Sequence, residues 1–348
     1  MALGRELRRS GRQRSAWAAA TAAVSLLALA GCTASGGDRQ CNVNADCASG
    51  HCRPDGTCEP VTPADGGTGG SAAGGGGGSA GAGALGGEGG GDGGAGACVP
   101  NHDGTIWGDE MPFAPNYAAQ FRISEQVSPF VSAPDCASGT CEWDFVDVGG
   151  VTRDELSTTE PITGKWYEAT EGFEQATYVS KLADFQLSLW GFTLCDQTQY
   201  GVFQVTPDAL LMLGMVSEFE NEGTLLVYDP PVALMKYPLT VGATWTVETT
   251  ARGPLCNSVF DYAIAQTYTS SVDRIGTMKT PYGDFEETLR INTLIERHLG
   301  AGVTPTEAVT HTYVAECFTS VAVAVSEELV DTPEFDAAAE VRRLIPLP

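Results

Sequence analysis

The sequence predicts a mainly β protein, with a curved antiparallel sheet folded as a half-barrel or a sandwich behind an N-terminal leader and a glycine-rich segment. The main observation is a period-two alternation of apolar and polar residues after Cys98, as in Val321, Val323 and Val325. Gly, Pro and Asn residues interrupt these runs at short intervals. Alternation of this kind is typical of half-buried antiparallel strands.

The individual strands follow from the same alternation. They are predicted at residues 120–124, 142–148, 165–169, 176–180, 184–194, 200–205, 209–216, 223–228, 243–251, 258–273, 276–280, 285–298, 306–316 and 320–327. One short C-terminal helix is predicted over Glu334 to Leu344, because this stretch is rich in helix-forming residues and Thr332 can cap it. Together these elements make residues 98–348 the predicted β domain.

The first 31 residues have the layout of a signal peptide. Five arginines precede an apolar run from Ala16 to Ala30, which is too short to span a bilayer comfortably as a helix. The run ends in Leu29-Ala30-Gly31-Cys32, which resembles the lipobox of bacterial lipoproteins. This resemblance implies that residues 1–31 are removed and that Cys32 carries diacyl and palmitate lipid. The alternative is an ordinary secretory signal that leaves Cys32 as a free thiol.

Net charge restricts the classes of partner. The chain has 19 basic and 44 acidic residues, and without residues 1–31 the balance is 14 to 43, a net charge near −29. Such a charge repels nucleic-acid phosphates and anionic headgroups, so we expect no nucleic-acid partner and contact with the membrane through lipid alone. Solubility is the favoured reason for the acidity, and a cation-binding surface is the alternative.

The eleven cysteines fall into groups of one, four and six. With Cys32 set aside, the two even groups indicate disulfides formed in an oxidising compartment. The group of four lies in residues 32–60 and resembles small cysteine-rich units that often follow the anchor in lipoproteins of large-genome Gram-negative bacteria. Zinc is the weaker alternative, because the unit lacks C-x-x-C pairs. Alternating partners would interlock both turns, so we predict two crossed bonds among three connectivities: Cys41–Cys52 and Cys47–Cys58.

Residues 61–97 are predicted to be a flexible tether. Between Asp65 and Ala97, 19 of 33 residues are Gly, and Leu85 is the one large apolar side chain. A segment with nothing to bury stays disordered, and random-coil scaling gives an end-to-end distance of about 30 to 35 Å. The β domain is therefore expected to hang at some distance from the lipid.

The six cysteines of the β domain are predicted to form three bonds. Cys136 and Cys141 bracket a tight turn that can bring their α-carbons within disulfide range. The positions of two further cysteines at strand ends favour a bond between Cys195 and Cys256. The remaining pair is Cys98 and Cys317.

Residues 228–327 resemble a widespread class of uncharacterised secreted β-rich bacterial domains. The resemblance rests on Pro238-Leu239-Thr240-Val241-Gly242 followed by Trp245, and on Thr280-Pro281-Tyr282-Gly283-Asp284-Phe285. It implies a long curved antiparallel sheet, of the sort that envelope lipoproteins use as a half-barrel for apolar ligands or as a plain structural unit.

No catalytic or metal motif is found. The chain contains no H-E-x-x-H, Walker or C-x-x-C sequence, so we predict no catalytic residue, no metal and no cofactor. A hairpin turn around Gly302 and Val303 would pair His298 with Glu307 and His311 with Leu294, which places the two histidines well apart. They are interpreted as surface strand residues, with a metal pair as the alternative. Seven aromatic residues are assigned to a core, with a ligand pocket as the alternative: Trp143, Trp166, Tyr167, Phe173, Phe185, Trp190 and Phe192.

These observations favour a non-enzymatic, lipid-anchored envelope protein whose β domain binds a ligand or partner. An apolar ligand and an envelope protein are the two candidates for what it binds. The alternatives are a structural surface protein and an exported hydrolase whose site is assembled from scattered residues. Thr33 is not the Asp that retains many Gram-negative lipoproteins at the inner membrane, so the predicted location is the outer membrane, facing either the periplasm or the exterior.

Overall fold

The β domain forms a continuous sheet. The computed structural model describes residues 98–136, 141–182, 185–189, 192–258, 261–298 and 306–347, with the backbone alone for 185–189 and 192–197. The predicted leader, the cysteine-rich unit and the tether lie outside the described residues, and so do Cys32 and the bonds Cys41–Cys52 and Cys47–Cys58.

Fifteen strands are present in the described part of the chain. In order they are β1 (Ala118–Val127), β2 (Cys141–Asp144), β3 (Val151–Glu160), β4 (Tyr178–Lys181), β5 (Phe185–Leu189), β6 (Phe192–Gln197), β7 (Gln199–Thr206), β8 (Ala209–Ser217), β9 (Leu225–Lys236), β10 (Thr244–Pro254), β11 (Asp261–Thr280), β12 (Gly283–His298), β13 (Thr306–Val314), β14 (Ser320–Ser326) and β15 (Ala338–Ile345). Two 3₁₀ turns, Gly108–Glu110 and Glu220–Glu222, are the described helical elements.

Twelve of these strands close into an antiparallel barrel, which goes beyond the predicted half-barrel or sandwich. The order around it is β10-β9-β8-β7-β4-β3-β1-β15-β14-β13-β12-β11, and β11 pairs back onto β10 over its first half. Closure leaves this sheet no free edge along that seam. Strand β2 adds to the second half of β11 in parallel, and β5 and β6 form a separate hairpin.

A cluster of buried apolar side chains fills one part of the space inside the closed sheet. It joins strands from opposite sides of the ring, including Tyr178 of β4, Met212 of β8, Trp245 of β10 and Ile291 of β12. Ile106 and Met111, which precede β1, belong to the same cluster, and Ile106 forms a backbone bridge with Leu239. We call this cluster the apolar interior.

Chain segments cover parts of the outer surface. Tyr167 and Phe173 pack on Val179, Val202 and Leu213, which lie on the outer face of β4, β7 and β8. On the other side, the residues that flank β2 (128–136 and 145–147) and the segment 327–337 lie over β12 and β13, where Phe130 stacks on Phe335 with ring centroids 5.6 Å apart. These two covering segments bury polar side chains that would otherwise face water.

The predicted C-terminal helix is wrong, because its residues form β15. The stretch has good helix formers, but Val341 and its neighbours pair with β1 on one side and with β14 on the other. Two ladders of backbone hydrogen bonds outweigh an intrinsic helix preference of a few tenths of a kcal/mol per residue. Without this strand the sheet would have a gap between β1 and β14.

Three further differences concern strands. No strand was predicted at β3, whose sequence VTRDELSTTE is polar on both faces, yet it pairs with β1 over eight residues. The strand predicted at 165–169 is a series of turns, in which Glu168 donates to Lys165 and Thr170 to Tyr167 through their backbone N–H groups. The strands predicted at 258–273 and 276–280 are one strand, β11.

Candidate functional site

The inner face of the closed sheet changes from apolar to polar at β13. Directly paired residues of an antiparallel sheet share a face. Ile291 of the apolar interior pairs with Thr312, which pairs with Val323, which pairs with Arg342. In the next inward row, Thr310 pairs with Val325 and Val325 with Glu340. We call the four polar residues, Thr310, Thr312, Glu340 and Arg342, the inner polar wall.

The inner polar wall is buried, and part of its hydrogen-bonding capacity is unused. Thr310, Thr312 and Arg342 are 0%, 1% and 3% exposed. Arg342 donates from Nε to the carboxylate of Glu340, which gives this charge a counter-ion. The Arg342 Nη2 atom and both threonine Oγ1 atoms have no hydrogen-bond partner among the described residues. Such groups are rare in folded proteins, and each calls for a water or a ligand.

Charged side chains continue the polar surface towards one end of the closed sheet. Glu125 of β1 pairs with Glu340, and its carboxylate forms an ion pair with Arg153 of β3. Arg153 and Lys181 both approach Glu155, with N–O distances of 3.6 Å. These residues are more exposed than the inner polar wall, so the polarity grades from buried to solvated along the inner face.

Hydroxyl groups and one aromatic ring continue the row of paired residues that contains Thr310. Thr293 pairs with Thr310, and its Oγ1 lies 2.9 Å from Oγ of Ser270. Ser270 pairs with Trp245, whose indole N–H donates to the carbonyl of Ala233. The row that contains Thr310 therefore runs from the charged Glu340 through hydroxyl groups to the aromatic side chain of Trp245, whereas the row of Thr312 continues to Ile291.

A second polar cluster lies on the outer face around Arg290, whose guanidinium group has a partner for each of its N–H groups. Arg290 is 0% exposed and donates to Asp273 at 2.9 and 2.6 Å, to Glu334 at 3.0 and 2.6 Å and to the carbonyl of Ser132 at 3.0 Å. Burial lowers its pKa, but the hydrogen bonds to the two carboxylates outweigh this and raise the pKa overall. The guanidinium also lies 5.8 Å from the ring centre of Trp143. This cluster ties both covering segments to β11 and β12.

His311 belongs to that outer cluster, so its prediction as a surface residue is wrong. It pairs with Asn292 rather than Leu294, because the hairpin register is shifted by two residues, and it is 0% exposed beneath Phe335. Its Nε2 lies 2.7 Å from the carbonyl of Pro333. Burial and then the charge of Arg290 lower its pKa to about 4, so the ring is neutral at pH 7. His298 is exposed at the end of β12.

The predicted disulfide residues are placed as follows. Cys136 and Cys141 form a disulfide with α-carbons 4.1 Å apart. Cys98, Cys256 and Cys317 are each disulfide-bonded, and the side chain of Cys195 lies outside the described part of the chain. Cys256 is held near β7, since its N–H donates to Thr224 Oγ1 and Gln199 Nε2 approaches the same atom. The bonds Cys195–Cys256 and Cys98–Cys317 stay predictions.

The seven aromatic residues do not form one lining. Trp143 contacts Tyr313 on the outer face with ring centroids 5.1 Å apart, and Trp166, Tyr167 and Phe173 pack outside β4, β7 and β8. The side chains of Phe185, Trp190 and Phe192 lie outside the described residues.

Sequence reasoning missed Arg342 and its neighbours. An available signal was the Arg342-Arg343 pair within an apolar run, which places one charge on each face of a strand but on one side of a helix. Because this stretch is interpreted as a helix, the alternation of faces that a strand gives to the two arginines is not considered.

The described residues show no metal site and no membrane-spanning helix, and no protein similar to the chain is found. In the ranges that the structure describes, no three His, Cys, Asp or Glu residues are grouped to hold a metal ion. No helix in that same part is long and apolar enough to cross a membrane. No protein-family model matches the chain, and no similar curated protein or solved structure is found.

Proposed function

We propose that this chain is a lipid-anchored cell-envelope protein whose β domain binds a small, neutral, hydroxyl-bearing ligand inside the closed sheet. The observation that carries the proposal is the set of three buried groups without partners on the inner polar wall: Arg342 Nη2, Thr310 Oγ1 and Thr312 Oγ1. All three lie on the inner face, with both threonines on β13 and Arg342 on β15, and β14 lies between these two strands.

The energetic argument starts from the cost of these groups. A buried donor or acceptor without a partner costs about 1 to 3 kcal/mol, and more when it is charged. Replacing them with apolar residues would remove that cost without changing the strand pattern. A ligand that accepts from Arg342 and exchanges hydrogen bonds with the threonine hydroxyls offsets it instead.

The mixture of groups favours hydroxyls on the ligand. Arg342 can only donate, the carboxylate of Glu340 can only accept, and threonine hydroxyls can do both. A ligand hydroxyl can also do both, so it can bridge a donor and an acceptor on the same wall. Since Arg342 and Glu340 offset each other's charge, a neutral ligand is favoured over an ion. Trp245, in the row of Thr310, offers an aromatic surface for the C–H face of a sugar.

The size of the closed sheet is consistent with an internal ligand. Side chains alone fill the inside of a closed sheet of about eight strands, and larger sheets enclose more space. Here twelve strands close, and the segment carrying Ile106 and Met111 contributes to the apolar interior. The segment before β1 therefore fills space on the apolar side of the interior. The inner polar wall keeps donors and acceptors without partners among the described residues.

The test is a comparison of two arginine variants in the full-length protein extracted in mild detergent. Wild-type protein is screened against a panel of mono- and disaccharides by isothermal titration calorimetry, and native mass spectrometry detects any bound small molecule. We expect a saturable sugar signal that weakens at least tenfold in Arg342→Met and in the double variant Thr310→Val, Thr312→Val.

Arg343→Met is the matched control, because it removes the adjacent buried arginine from the opposite face and should leave sugar binding unchanged. Equal binding in wild type and Arg342→Met would contradict the inner site. Recovery of a lipid whose binding is indifferent to Arg342 would instead favour an apolar ligand in the apolar interior.

The anchor is tested separately. Lipidation at Cys32 predicts a mature chain that begins at this residue and carries the mass of the attached acyl chains. Cys32→Ala should move the protein from the outer-membrane fraction to the soluble fraction. A variant that fractionates like wild type, or a wild type found wholly in the inner membrane, would contradict the anchor or the sorting.

A further inference from the structure

A surface pocket lies on the outer face where β1, β3 and β15 meet. Its volume is about 430 Å³, and its lining includes Arg122, Asp147, Asp154 and Arg343. Arg122 pairs with Arg343 of β15 on one side and with Asp154 of β3 on the other, so these three residues form one row across three strands. We call this feature the outer pocket.

Arg343 is the unusual residue in the outer pocket. Its side chain is 2% exposed, and its Nη1 donates to Oγ of Ser124 at 2.9 Å. Its Nε is buried without a hydrogen-bond partner, and no carboxylate in the described residues forms an ion pair with it. Burial lowers the pKa of Arg343, and the positive charge of Arg122 lowers it further. A guanidinium nevertheless stays protonated in proteins.

The neighbouring carboxylates compensate Arg343 only in part, because burial and the charge of Arg122 lower its pKa by more than Asp147 and Asp154 raise it. Arg122 holds Asp154 in a bidentate pair, with Nε–Oδ1 and Nη2–Oδ2 distances of 2.8 and 3.0 Å. The carboxylate of Asp147 accepts from the N–H of Gly149, at 3.3 Å. Arg290, on the same face, is compensated, because its guanidinium group donates to two carboxylates and a carbonyl. Arg343 has no such partners in the described part of the chain. Burying a charge without a counter-ion is costly, so an exogenous anion would stabilise Arg343.

The loop that follows β2 forms one wall of the outer pocket, and contacts at both of its ends fix its position. Phe145 packs on Tyr313 with ring centroids 5.3 Å apart, and the next two residues, Val146 and Asp147, line the pocket. The loop then turns at Gly150, which has a φ of 79° and where a Cβ would lie 2.7 Å from the carbonyl oxygen of Glu125. The wall therefore has a defined position over Arg343.

We propose that the outer pocket is a second binding site, which takes a small oxyanion through the guanidinium of Arg343. A carboxylate or a phosphate group presents the two acceptor oxygens that a guanidinium edge matches. Three arginines line the pocket, but Arg153 is ion-paired with Glu125 on the inner face and Arg122 is ion-paired with Asp154. Arg343 is therefore the arginine of the lining that can bind an anion. This site rests on Arg343 and the outer face, independently of the ligand proposed for the inner polar wall.

The experiment titrates the full-length protein in mild detergent with sodium phosphate and, separately, with sodium succinate, at a constant ionic strength set with sodium chloride. Calorimetry should show saturable binding of at least one anion. Binding of phosphate alone assigns a phosphate group, binding of succinate alone assigns a carboxylate, and binding of both assigns the shared oxyanion chemistry. Arg343→Met should weaken that binding at least tenfold, whereas Arg342→Met should leave it unchanged.

A second variant keeps the test decisive if Arg343→Met does not fold. Asp147→Asn removes an exposed negative charge from the pocket lining but keeps the oxygen that accepts from Gly149, so the anion should bind severalfold more tightly. Unchanged anion binding in Arg343→Met, weaker binding in Asp147→Asn, or heats that chloride alone reproduces would overturn the proposal. None of these results bears on sugar binding at Arg342.

Discussion

Arg342 and Arg343 are consecutive residues of β15, and their guanidinium groups lie on opposite sides of the closed sheet. Arg342 pairs with Ile123 and Val323 on the inner face, where Glu340 is its counter-ion. Arg343 pairs with Arg122 and Ala322 on the outer face, where Ser124 is its hydrogen-bond partner. One strand therefore contributes a buried charge to each of the two proposed sites, and each residue is the control for the other.

The two buried arginines of the outer face should differ in their effect on stability. Arg290→Met leaves the carboxylates of Asp273 and Glu334 without their common partner, and breaking such a buried pair costs about 3 kcal/mol, the low end of the usual range since both carboxylates are partly exposed. Arg343→Met leaves no counter-ion unpaired; it removes the buried Nε that lacks a partner among the described residues but also the hydrogen bond to Ser124. These effects oppose each other, so we expect a change of less than about 1 kcal/mol in either direction. Urea unfolding measures both.

Arg290→Lys is the control for charge alone, because a lysine keeps the charge but cannot serve two carboxylates and a carbonyl in the same plane. It should recover a part of the loss. Equal destabilisation by Arg290→Met and Arg343→Met would show that burial, rather than pairing, decides the cost.

The threonines of the inner polar wall should be replaceable by valine with a gain in stability. Thr310→Val and Thr312→Val keep a β-branched side chain and remove a buried hydroxyl without a partner, so each should raise the free energy of unfolding by about 1 kcal/mol. Thermal unfolding without added ligand gives the readout. Thr293→Val is the matched control, since its hydroxyl bonds Ser270, and it should destabilise instead.

The stability of the domain should fall with decreasing pH because of His311. Its folded pKa of about 4 lies below the unfolded value near 6.5, so in this window the unfolded chain binds a proton that the folded chain does not. The contribution of His311 to stability is therefore full above pH 6.5 and decreases by about 3 kcal/mol as the pH falls to 4. His311→Gln keeps an N–H for Pro333 and should flatten this dependence in chemical denaturation at fixed pH values.

Two other groups act in the same pH range and must be separated from His311. Burial raises the pKa of Glu334, but hydrogen bonds from Arg290 and Ser132 outweigh it and lower the pKa, so Glu334 also favours the folded state above pH 4.5. Burial raises the pKa of Glu328 to about 7, so this residue favours the folded state below pH 4.5 and loses that effect as the pH rises through 7. Glu328→Gln should therefore steepen the fall at low pH, and a wild-type slope unaffected by His311→Gln would contradict the assignment.

Removal of the long-range disulfides should cost more than removal of the short one. By chain-entropy scaling the Cys136–Cys141 bond contributes about 2 kcal/mol, whereas a bond between Cys195 and Cys256 closes a much longer loop and contributes about 4 kcal/mol. Cys195→Ser should thus lower the melting temperature more than Cys141→Ser. Alkylation should then label Cys256, and labelling of Cys98 or Cys317 instead would contradict the predicted pairing.

The positions of most strands could be read from alternation, because a strand with one buried face repeats every two residues. β10, β12 and β14 are examples, and each lies within a few residues of its predicted range. β3 could not be read this way, because its residues lie near the solvated end of the sheet and carry polar groups on both faces. His311 was misplaced by a shift of two residues, which keeps the same face but changes every partner.

The sequence by itself determined that residues 98–348 form a β domain with antiparallel strands, since a local repeat is enough to require one buried face per strand. Only the tertiary structure decided that the sheet closes, that residues 338–345 are a strand rather than a helix, and which face holds each arginine. The reason is that β15 gains its conformation from β1, more than two hundred residues earlier, and from β14. A local propensity for helix carries no information about such distant partners.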